Sequence, residues 1–262
     1  MSIIGIVFMA IAIILVVIRH FQAQEYSSLQ LARSTNVEEL KSTSIAIKEQ
    51  IGGGNWRDYV KIWGKISVSE PILSEIKQEP CVYYQMLVKR EYEEKVRSQN
   101  SEGKTEERIV KKSEIIAENN RSISFTITDN TGEIIINPQG AKFDTIKILD
   151  EFRPEESRGG MLKYGSFSLL LKSDYSQTRT LGYRYQEFIL PVGEEVLVVG
   201  TVSDETGNLR ITQPVNEKEM FMISLKTDET LTANYVRNHK NFTYGVYTCS
   251  IIGLICIIIG IF

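Results

Sequence analysis

The amino-acid sequence predicts a mainly β (α+β) fold, in which a β-rich soluble domain lies between an N-terminal and a C-terminal transmembrane helix. Two observations predict it. The uninterrupted apolar runs of the 262-residue chain occupy its two ends, at 2–18 and 244–262. Between them, apolar residues recur mostly with the period of two that half-buried strands show. The predicted segments are a transmembrane helix over 1–20, an amphipathic helical linker over 21–54, the β-rich domain over 55–235 and a transmembrane helix over 242–262.

Each terminal run is long enough to cross a bilayer. At about 1.5 Å per residue, the first helix would cover roughly 24 Å and the second roughly 28 Å. Neither run carries a charge, which favours insertion. A buried core helix is the alternative for both runs, and a cleaved signal peptide is a further alternative for the first. No Lys or Arg precedes the first run and 19–24 offers no clear cleavage site, so a retained anchor is expected.

The charges beside these runs predict an orientation. Arg19 and His20 follow the first run, whereas Arg237, His239 and Lys240 precede the second. Neither outer tail contains Lys or Arg. By the positive-inside rule, the soluble domain of this two-pass integral membrane protein is expected in the cytoplasm. The lipid bilayer is therefore a predicted partner.

Composition argues against several classes of function. The formal net charge of −3 gives no electrostatic basis for binding nucleic acid. Cys249 and Cys256 lie in the last apolar run, and the histidines, His20 and His239, lie beside the two runs. A four-ligand zinc site or a Ser-His-Asp triad therefore lacks suitable residues. Cys81 is interpreted as a small buried apolar residue, with a reactive thiol as the alternative. We expect no catalytic residue, no metal and no cofactor.

A short amphipathic helix is predicted after the first anchor. Thr35 and Glu38 have the spacing of a capping box. The stripe that follows at helical spacing consists of Val37, Leu40, Ser44, Ile47 and Ile51. Three glycines at 52–54 are expected to end the helix. Phosphate binding is the alternative, but no Gly-Lys-Ser/Thr follows these glycines.

Strands dominate the rest of the domain. We predict a strand over 60–68, a long strand over 81–93 that returns through 108–110 as a projecting hairpin with its turn at 100–103, and hairpins over 123–137 and 195–212. Gly64 and Gly200 share an apolar-x-Gly-x-apolar pattern. Such glycines indicate a bulge or a close backbone approach, here at the corners of one closed or sandwiched sheet.

The segment 150–177 is the least regular part of the sequence, and 153–160 is predicted to be a mobile loop. Its apolar residues can pack on the sheet or face the membrane surface, and packing is favoured. They are Met161, Leu162, Phe167 and the three leucines at 169–171.

Several segments together carry a resemblance to a known family. They are the strand around Gly64, Pro71–Glu75, Pro80–Tyr84, Arg90–Glu93 and the strand and turn around Gly200. Over 59–225 the chain resembles the GIDE-type family, membrane proteins that include a mitochondrial E3 ubiquitin ligase and whose middle domain is also called BAM, for beside-a-membrane. Bacterial members look like this chain, with the middle domain between hydrophobic segments.

The resemblance implies a relation to ubiquitin transfer. In the ligase members this activity resides in a C-terminal RING that binds zinc. The present sequence ends inside its last apolar run and has no ligands for a RING, so it resembles a bacterial member that lacks that domain. Three hypotheses follow: a non-catalytic binding or sensor domain with an unknown protein partner or small ligand, an E3 ubiquitin-protein ligase-related transferase, and a purely structural membrane component.

Five residues of the matched segments form the candidate ligand site. Hydroxyls and one guanidinium beside aromatic faces would make a small polar pocket from Ser74, Glu75, Tyr83, Tyr84 and Arg90. The alternative is structural. In this structural alternative, the aromatic residues occupy the two faces of a strand and Arg90 belongs to a solvated strand end.

Overall fold

The computed structural model describes residues 2–54, 56–99, 105–154, 160–165, 167–171, 178–205 and 207–261. The helices are α1 (Ser2–Leu31), α2 (Val37–Ile51) and α3 (Asp228–Ile261). The strands are β1 (Arg33–Ser34), β2 (Arg57–Ser67), β3 (Ile72–Leu73), β4 (Pro80–Gln99), β5 (Thr105–Ser122), β6 (Phe125–Asp129), β7 (Gly132–Ile136), β8 (Lys142–Phe143), β9 (Ile146–Pro154), β10 (Met161–Tyr164), β11 (Phe167–Leu170), β12 (Arg179–Pro191), β13 (Glu195–Ser203), β14 (Arg210–Thr212) and β15 (Met222–Ser224). A mainly β chain with apolar terminal helices is thereby confirmed.

The chain divides into two compact units. The first comprises 1–65, 126–144 and 195–262, and the second comprises 66–125 and 145–194. In the first unit, the described strands follow the order β1-β2-β6-β7-β14-β13-β15-β8. An additional antiparallel pairing of β13 with β2 joins the strands from β2 to β13 into a ring. Of the two predicted arrangements, this unit has the closed sheet.

The interior of this closed sheet is apolar. Residues on its strands that are at most 3% exposed include Val60, Ile62, Ile127, Ile134, Ile136, Val196, Val198, Val202 and Ile211. The two strand glycines sit where other chain segments come close. A Cβ on Gly64 would lie 3.1 Å from the Thr128 carbonyl oxygen, and one on Gly200 would lie 2.8 Å from Cδ2 of Phe221. The predicted close backbone approach is confirmed at Gly64, whereas the groups closest to Gly200 are the side chains of Phe221 and Ile211.

Helix α2 belongs to the first unit and begins one residue later than a Thr35 cap requires. The N-cap is Asn36, whose side-chain oxygen accepts a hydrogen bond from the Glu39 backbone N–H at 2.9 Å. The Thr35 hydroxyl instead donates to the Glu39 carboxylate at 2.9 Å. The predicted capping box is therefore wrong, because the Asn36 side chain reaches the free Glu39 N–H directly. Gly52, with φ of 85°, ends the helix as predicted.

Helices α1 and α3 contain segments that are long and apolar enough to cross a membrane, at Ile3–Leu31 and Asp228–Gly260. They run antiparallel, since Gly5 lies against Gly253 and Leu15 lies against Gly245. Helix α1 continues past the apolar run without a break until Leu31. Its last turn and the start of α3 enter one apolar cluster with the outer face of the closed sheet, formed by Leu29, Ala32, Leu197, Val199, Met222 and Leu231.

The second unit contains an antiparallel sheet in the order β3-β4-β12-β9, with β5 paired to β4. The predicted long hairpin is present as β4 and β5, while its turn at 100–103 lies outside the described residues. Strand β12 was not predicted, although it lies between β4 and β9. The core of the unit includes Ile76, Met86, Val88, Leu149, Leu162, Phe167, Tyr183 and Tyr185.

The irregular segment forms a small hairpin of β10 and β11 in the second unit. Leu162 and Phe167 are buried in the core of the unit and Leu169 and Leu171 pack against it, so the predicted packing is confirmed for these four residues. Met161 and Leu170, in contrast, are exposed. Most of the predicted mobile loop, at 155–159, lies outside the described residues.

Candidate functional site

A buried carboxylate holds the turn that contains Ser74. Glu187 on β12 is 0% exposed. It accepts hydrogen bonds from the backbone N–H groups of Ile76 at 2.7 Å and Lys77 at 2.9 Å, and from the Ser74 hydroxyl at 3.2 Å. Three donors compensate the carboxylate for its lost hydration. Ser74 therefore belongs to a buried network that shapes the turn.

Glu75 and Tyr84 meet beside this turn. The Tyr84 hydroxyl donates to Glu75 Oε2 at 3.0 Å, and the Asn119 side-chain amide donates to the same oxygen at 2.9 Å. Burial raises the pKa of Tyr84, and the hydrogen bond to Glu75 raises it further. The phenol therefore remains a donor at neutral pH. The structure thus brings Ser74, Glu75 and Tyr84 into one neighbourhood and adds Asn119.

The other two predicted site residues lie apart from this neighbourhood. Tyr83 points to the opposite face of β4 from Tyr84, because successive strand residues alternate between the two faces. Arg90 is six residues further along β4 than Tyr84, which corresponds to about 20 Å at 3.3 Å per residue. The five predicted residues do not form one pocket. Ligand binding by the three that do meet stays a prediction.

Arg90 is fixed by its own set of partners. Its side chain pairs with Glu114 at 3.0 Å and donates to the hydroxyls of Thr178 at 2.6 Å and Thr180 at 2.8 Å. The guanidinium also lies 4.5 Å from the ring centroid of Tyr92. Because Arg90 is 1% exposed, it is a buried cross-strand link and not the solvated strand end of the structural alternative.

Cys81 is fully buried at the start of β4. Burial raises the pKa of its thiol to about 11, and the negative charge of Glu187 adds to this effect. The thiol group contacts the Ile72 carbonyl oxygen at 3.6 Å. A thiolate is the reactive form of cysteine, so this environment favours the predicted apolar role of Cys81 over a nucleophilic one.

The first unit contains a groove of about 640 Å³ beside α1. Its other wall is formed by the segments that lead into β8 and β15. The lining residues are Phe21, Gln24, Glu25, Ser27, Ser28, Leu31, Gly140, Lys142, Gln213, Glu217, Lys218, Glu219, Met220 and Phe221. An ion pair between Lys142 and Glu25 crosses it. The groove thus combines apolar and charged surface next to a helix that is able to enter a membrane.

A closed set of hydrogen bonds fixes α1 to this groove. The Met220 backbone N–H donates to Ser28 Oγ at 2.8 Å, and the Tyr59 hydroxyl donates to the Met220 carbonyl oxygen at 2.9 Å. The hydroxyls of Ser28 and Tyr59 lie 2.7 Å apart. Burial raises the pKa of Tyr59, so its hydroxyl stays protonated and remains a donor. These three residues join α1, β2 and the segment before β15.

Sequence reasoning did not identify this groove, but a signal for it exists. Phe21, Glu25, Ser28 and Ala32 continue a helical period beyond the apolar run. Such a pattern indicates that the helix does not stop at the membrane surface and that one of its faces packs on protein.

The possible metal ligands are scattered. Over the ranges that the structure describes, no group of three or more His, Cys, Asp or Glu side chains is placed to hold a metal ion. Cys249 and Cys256 lie on α3 within the apolar segment, and His20 and His239 lie on α1 and α3 just outside the apolar runs.

Comparison with protein families identifies the family of this chain. The GIDE family model, described as "E3 Ubiquitin ligase", matches residues 93–258, more than half of the 262-residue chain. The chain belongs to the GIDE family. The GIDE match begins within β4 and ends within the apolar part of α3. It overlaps the resemblance seen in the sequence over 93–225. No curated protein and no solved structure matches the chain.

Proposed function

We propose that this GIDE chain is a two-pass membrane protein whose β-rich part binds a partner beside the bilayer without catalysing a reaction. The partner is a segment of another protein or a small ligand. The β-rich part lies on the cytoplasmic side, as the basic residues beside the apolar runs indicate.

One observation carries the proposal: the apolar helices and the closed sheet share a packed cluster. Leu29 of α1 and Ala32, which follows the end of α1, are 0% and 3% exposed, and Leu231 of α3 is 8% exposed. All three pack with Leu197 and Val199 of β13. Because close-packed interiors transmit displacement, a shift of the helices in the bilayer changes the groove, and a ligand in the groove acts on the helices.

The groove suits an amphipathic protein segment. Phe21 and Leu31 line it while they remain 60% and 70% exposed, so apolar surface is available to a ligand. Glu217, Lys218 and Glu219 supply both signs of charge around that surface. Apolar anchors with a charged rim are typical of protein interaction sites.

The nucleophiles described above do not have the setting that catalysis requires. The Ser74 hydroxyl donates to a carboxylate that already accepts two backbone N–H groups. Cys81 is buried, with a raised pKa. An activated nucleophile needs an adjacent base or a lowered pKa, and an open approach. These features support binding over covalent catalysis.

Site-specific cross-linking tests the groove. A photo-reactive phenylalanine analogue is placed at Gln24 or Glu217 of the full chain in its native membrane, and at Ile109 as an exposed control in the second unit. We expect the same cross-linked species at both groove positions and none at Ile109. The yield of this cross-linked species should fall in the Tyr59→Phe variant, which lacks the hydroxyl that bonds to Ser28 and Met220 beside the groove. Identical products at all three positions would contradict the proposal.

The alternative function is an E3 ubiquitin-protein ligase-related transferase, which the family description favours. The full chain in liposomes is mixed with ubiquitin, its activating enzyme, a set of conjugating enzymes and ATP. We expect no conjugates beyond those formed by empty liposomes. Conjugates that depend on the chain would overturn the non-catalytic proposal and support the alternative.

Protease accessibility tests the orientation. Intact cells and inverted vesicles carrying the chain are treated with a protease, and the β-rich part is followed by immunoblot. We expect digestion only in inverted vesicles. Digestion from the outer face of intact cells would reverse the proposed orientation.

A further inference from the structure

A cleft of about 260 Å³ lies between α1 and α3, just outside the apolar runs at 2–18 and 244–262. On the apolar side, Leu15 approaches Gly245. On the other side, the rings of Tyr26 and Tyr235 lie 6.1 Å apart. The cleft is lined by Gln22, Ala23, Tyr26, Tyr235, Val236, His239 and Lys240. It is thus a defined concave site at one level of the helix pair.

This level of the helix pair is mainly basic, although the Glu25 carboxylate accepts a hydrogen bond from the Tyr235 hydroxyl at 3.3 Å and pairs with Lys142. Arg19 on α1 and Arg237 and Lys240 on α3 stand within two helical turns of one another in the antiparallel register. No Asp or Glu occurs over 2–24 or 230–262. Arg237 donates to the neutral side-chain oxygen of Asn234 at 2.7 Å, which leaves its charge uncompensated by that contact. Because Lys142 pairs with Glu25, the three basic residues leave an excess of positive charge at the cleft, which favours an anion.

A polar atom in the cleft lacks a partner. Gln22 Oε1 is buried and has no hydrogen-bond partner in the described chain. Buried acceptors are normally satisfied by a donor from protein or ligand. The Gln22 amide can present either its oxygen to a hydroxyl or its NH₂ to a phosphate oxygen. A hydroxylated phosphate headgroup supplies both kinds of partner.

The surroundings favour a lipid over a free anion. Tyr244 and Tyr247 are 69% and 62% exposed on the apolar side of the cleft, where aromatic residues mark the headgroup level of a bilayer. Beyond them, α3 exposes Ile251, Ile252 and Leu254, which can lie along acyl chains. We propose that this cleft binds the headgroup of an anionic phospholipid. The inference rests on the proposed membrane insertion of α1 and α3.

Native mass spectrometry of the full chain in detergent tests the site. Phosphatidylglycerol and phosphatidylcholine of equal chain length are added separately, together with glycerol phosphate as the headgroup without acyl chains. We expect a one-to-one phosphatidylglycerol adduct that is about tenfold more abundant than the phosphatidylcholine adduct, and little binding of glycerol phosphate. Equal adducts of the two lipids would overturn the inference, as would glycerol phosphate binding as strong as that of the lipid.

Variants locate the site. The triple variant Arg19→Gln, Arg237→Gln, Lys240→Gln is expected to lose the tenfold preference, and Gln22→Leu is expected to reduce it. The matched control, Lys65→Gln, Lys95→Gln, Arg108→Gln, removes the same charge elsewhere and should keep the preference. Equal loss in both triple variants would overturn the inference.

Carbonate washing of membranes separates the two proposals. If the chain stays in the pellet but shows no lipid preference, only the proposed lipid site is contradicted. If the chain is released to the supernatant, the proposed membrane anchoring is contradicted as well.

Discussion

A Cβ on Gly5 of α1 would lie only 2.8 Å from the carbonyl oxygen of Gly253 on α3, and 2.5 Å from Cγ1 of Ile257. The reverse contact is looser, since a Cβ on Gly253 would lie 3.2 Å from the Gly5 carbonyl oxygen. Glycine thus lets the two backbones meet directly. Small residues serve this purpose at helix interfaces in membranes, where the hydrophobic effect does not drive association.

We therefore predict a graded response to alanine substitutions in the helix pair. Gly5→Ala should destabilise the chain by about 1–3 kcal/mol, because a backbone oxygen cannot move aside. Gly253→Ala should have a smaller effect. Gly245→Ala is the control, since its nearest neighbour is the flexible Leu15 side-chain end at 3.2 Å. Thermal unfolding in detergent measures the series, and an equal response of all three variants would contradict this packing.

Removal of the Glu187 carboxylate should loosen the turn that contains Ser74. Glu187→Ala leaves the N–H groups of Ile76 and Lys77 and the Ser74 hydroxyl without their acceptor, at a cost on the order of 3 kcal/mol. Hydrogen exchange of the Ile76 and Lys77 amides should become faster, and the unfolding temperature of the variant should fall. Glu194→Ala, at an exposed position of the same unit, should change neither quantity. Unchanged protection in the Glu187 variant would show that the turn is held in another way.

Asp129 should make the stability of the first unit pH-dependent. Burial raises the pKa of its carboxyl, but hydrogen bonds from Thr131, Gly132 and the Val37 N–H outweigh it, so the pKa is lowered overall. A lowered folded-state pKa stabilises the fold above the unfolded pKa of about 3.9, and the effect disappears as pH falls through the folded value. Asp129→Asn should lower the free energy of unfolding by about 1–2 kcal/mol at pH 7.

Denaturant unfolding from pH 7 to pH 2 checks this expectation. The difference in free energy of unfolding between the Asp129→Asn variant and the natural sequence should become smaller below about pH 4. Glu133→Gln, at an exposed neighbouring position, should show no such narrowing. A constant difference at every pH would mean that the amide substitution at Asp129 acts for steric and not for electrostatic reasons.

Cys81 should resist alkylation in the folded chain. Its burial and its pKa of about 11 leave almost no thiolate at about pH 7.5. In a variant with Cys249→Ala and Cys256→Ala, a maleimide should label the protein only after denaturant is added. Labelling is read by mass. Rapid labelling of the folded variant would revive the reactive-thiol alternative.

Much of the fold could be predicted from local patterns. The terminal helices follow from their apolar composition, and the hairpins of β6 with β7 and of β13 with β14 follow from alternating residues around polar turns. Gly64 was expected to mark a close backbone approach, and it does, whereas the close neighbours of Gly200 are side chains. These features depend on residues that are near one another in the chain, so a single sequence is sufficient to find them.

Strand β12 shows why other features were missed. Its central residues mix charge with aromatic groups, and Glu187 within it is buried only because donors from a turn more than 100 residues earlier surround it. The N-cap of α2 was displaced by one residue for a local reason, the direct reach of the Asn36 side chain to the Glu39 N–H. The separation of Arg90 from Tyr84, in contrast, already follows from the predicted strand over 81–93, because six residues of an extended strand span about 20 Å.

The sequence alone determined that this chain has two apolar ends and a β-rich middle, because hydrophobic periodicity and composition are local properties of the chain. Only the tertiary structure decided that α1 and α3 pair through Gly5 and Gly253, that their inner ends enter the core beside β13, and that Glu187 closes the Ser74 turn. The reason is that such contacts join residues remote in sequence, and close packing with satisfied buried polar groups selects them over the alternatives that the same local patterns allow.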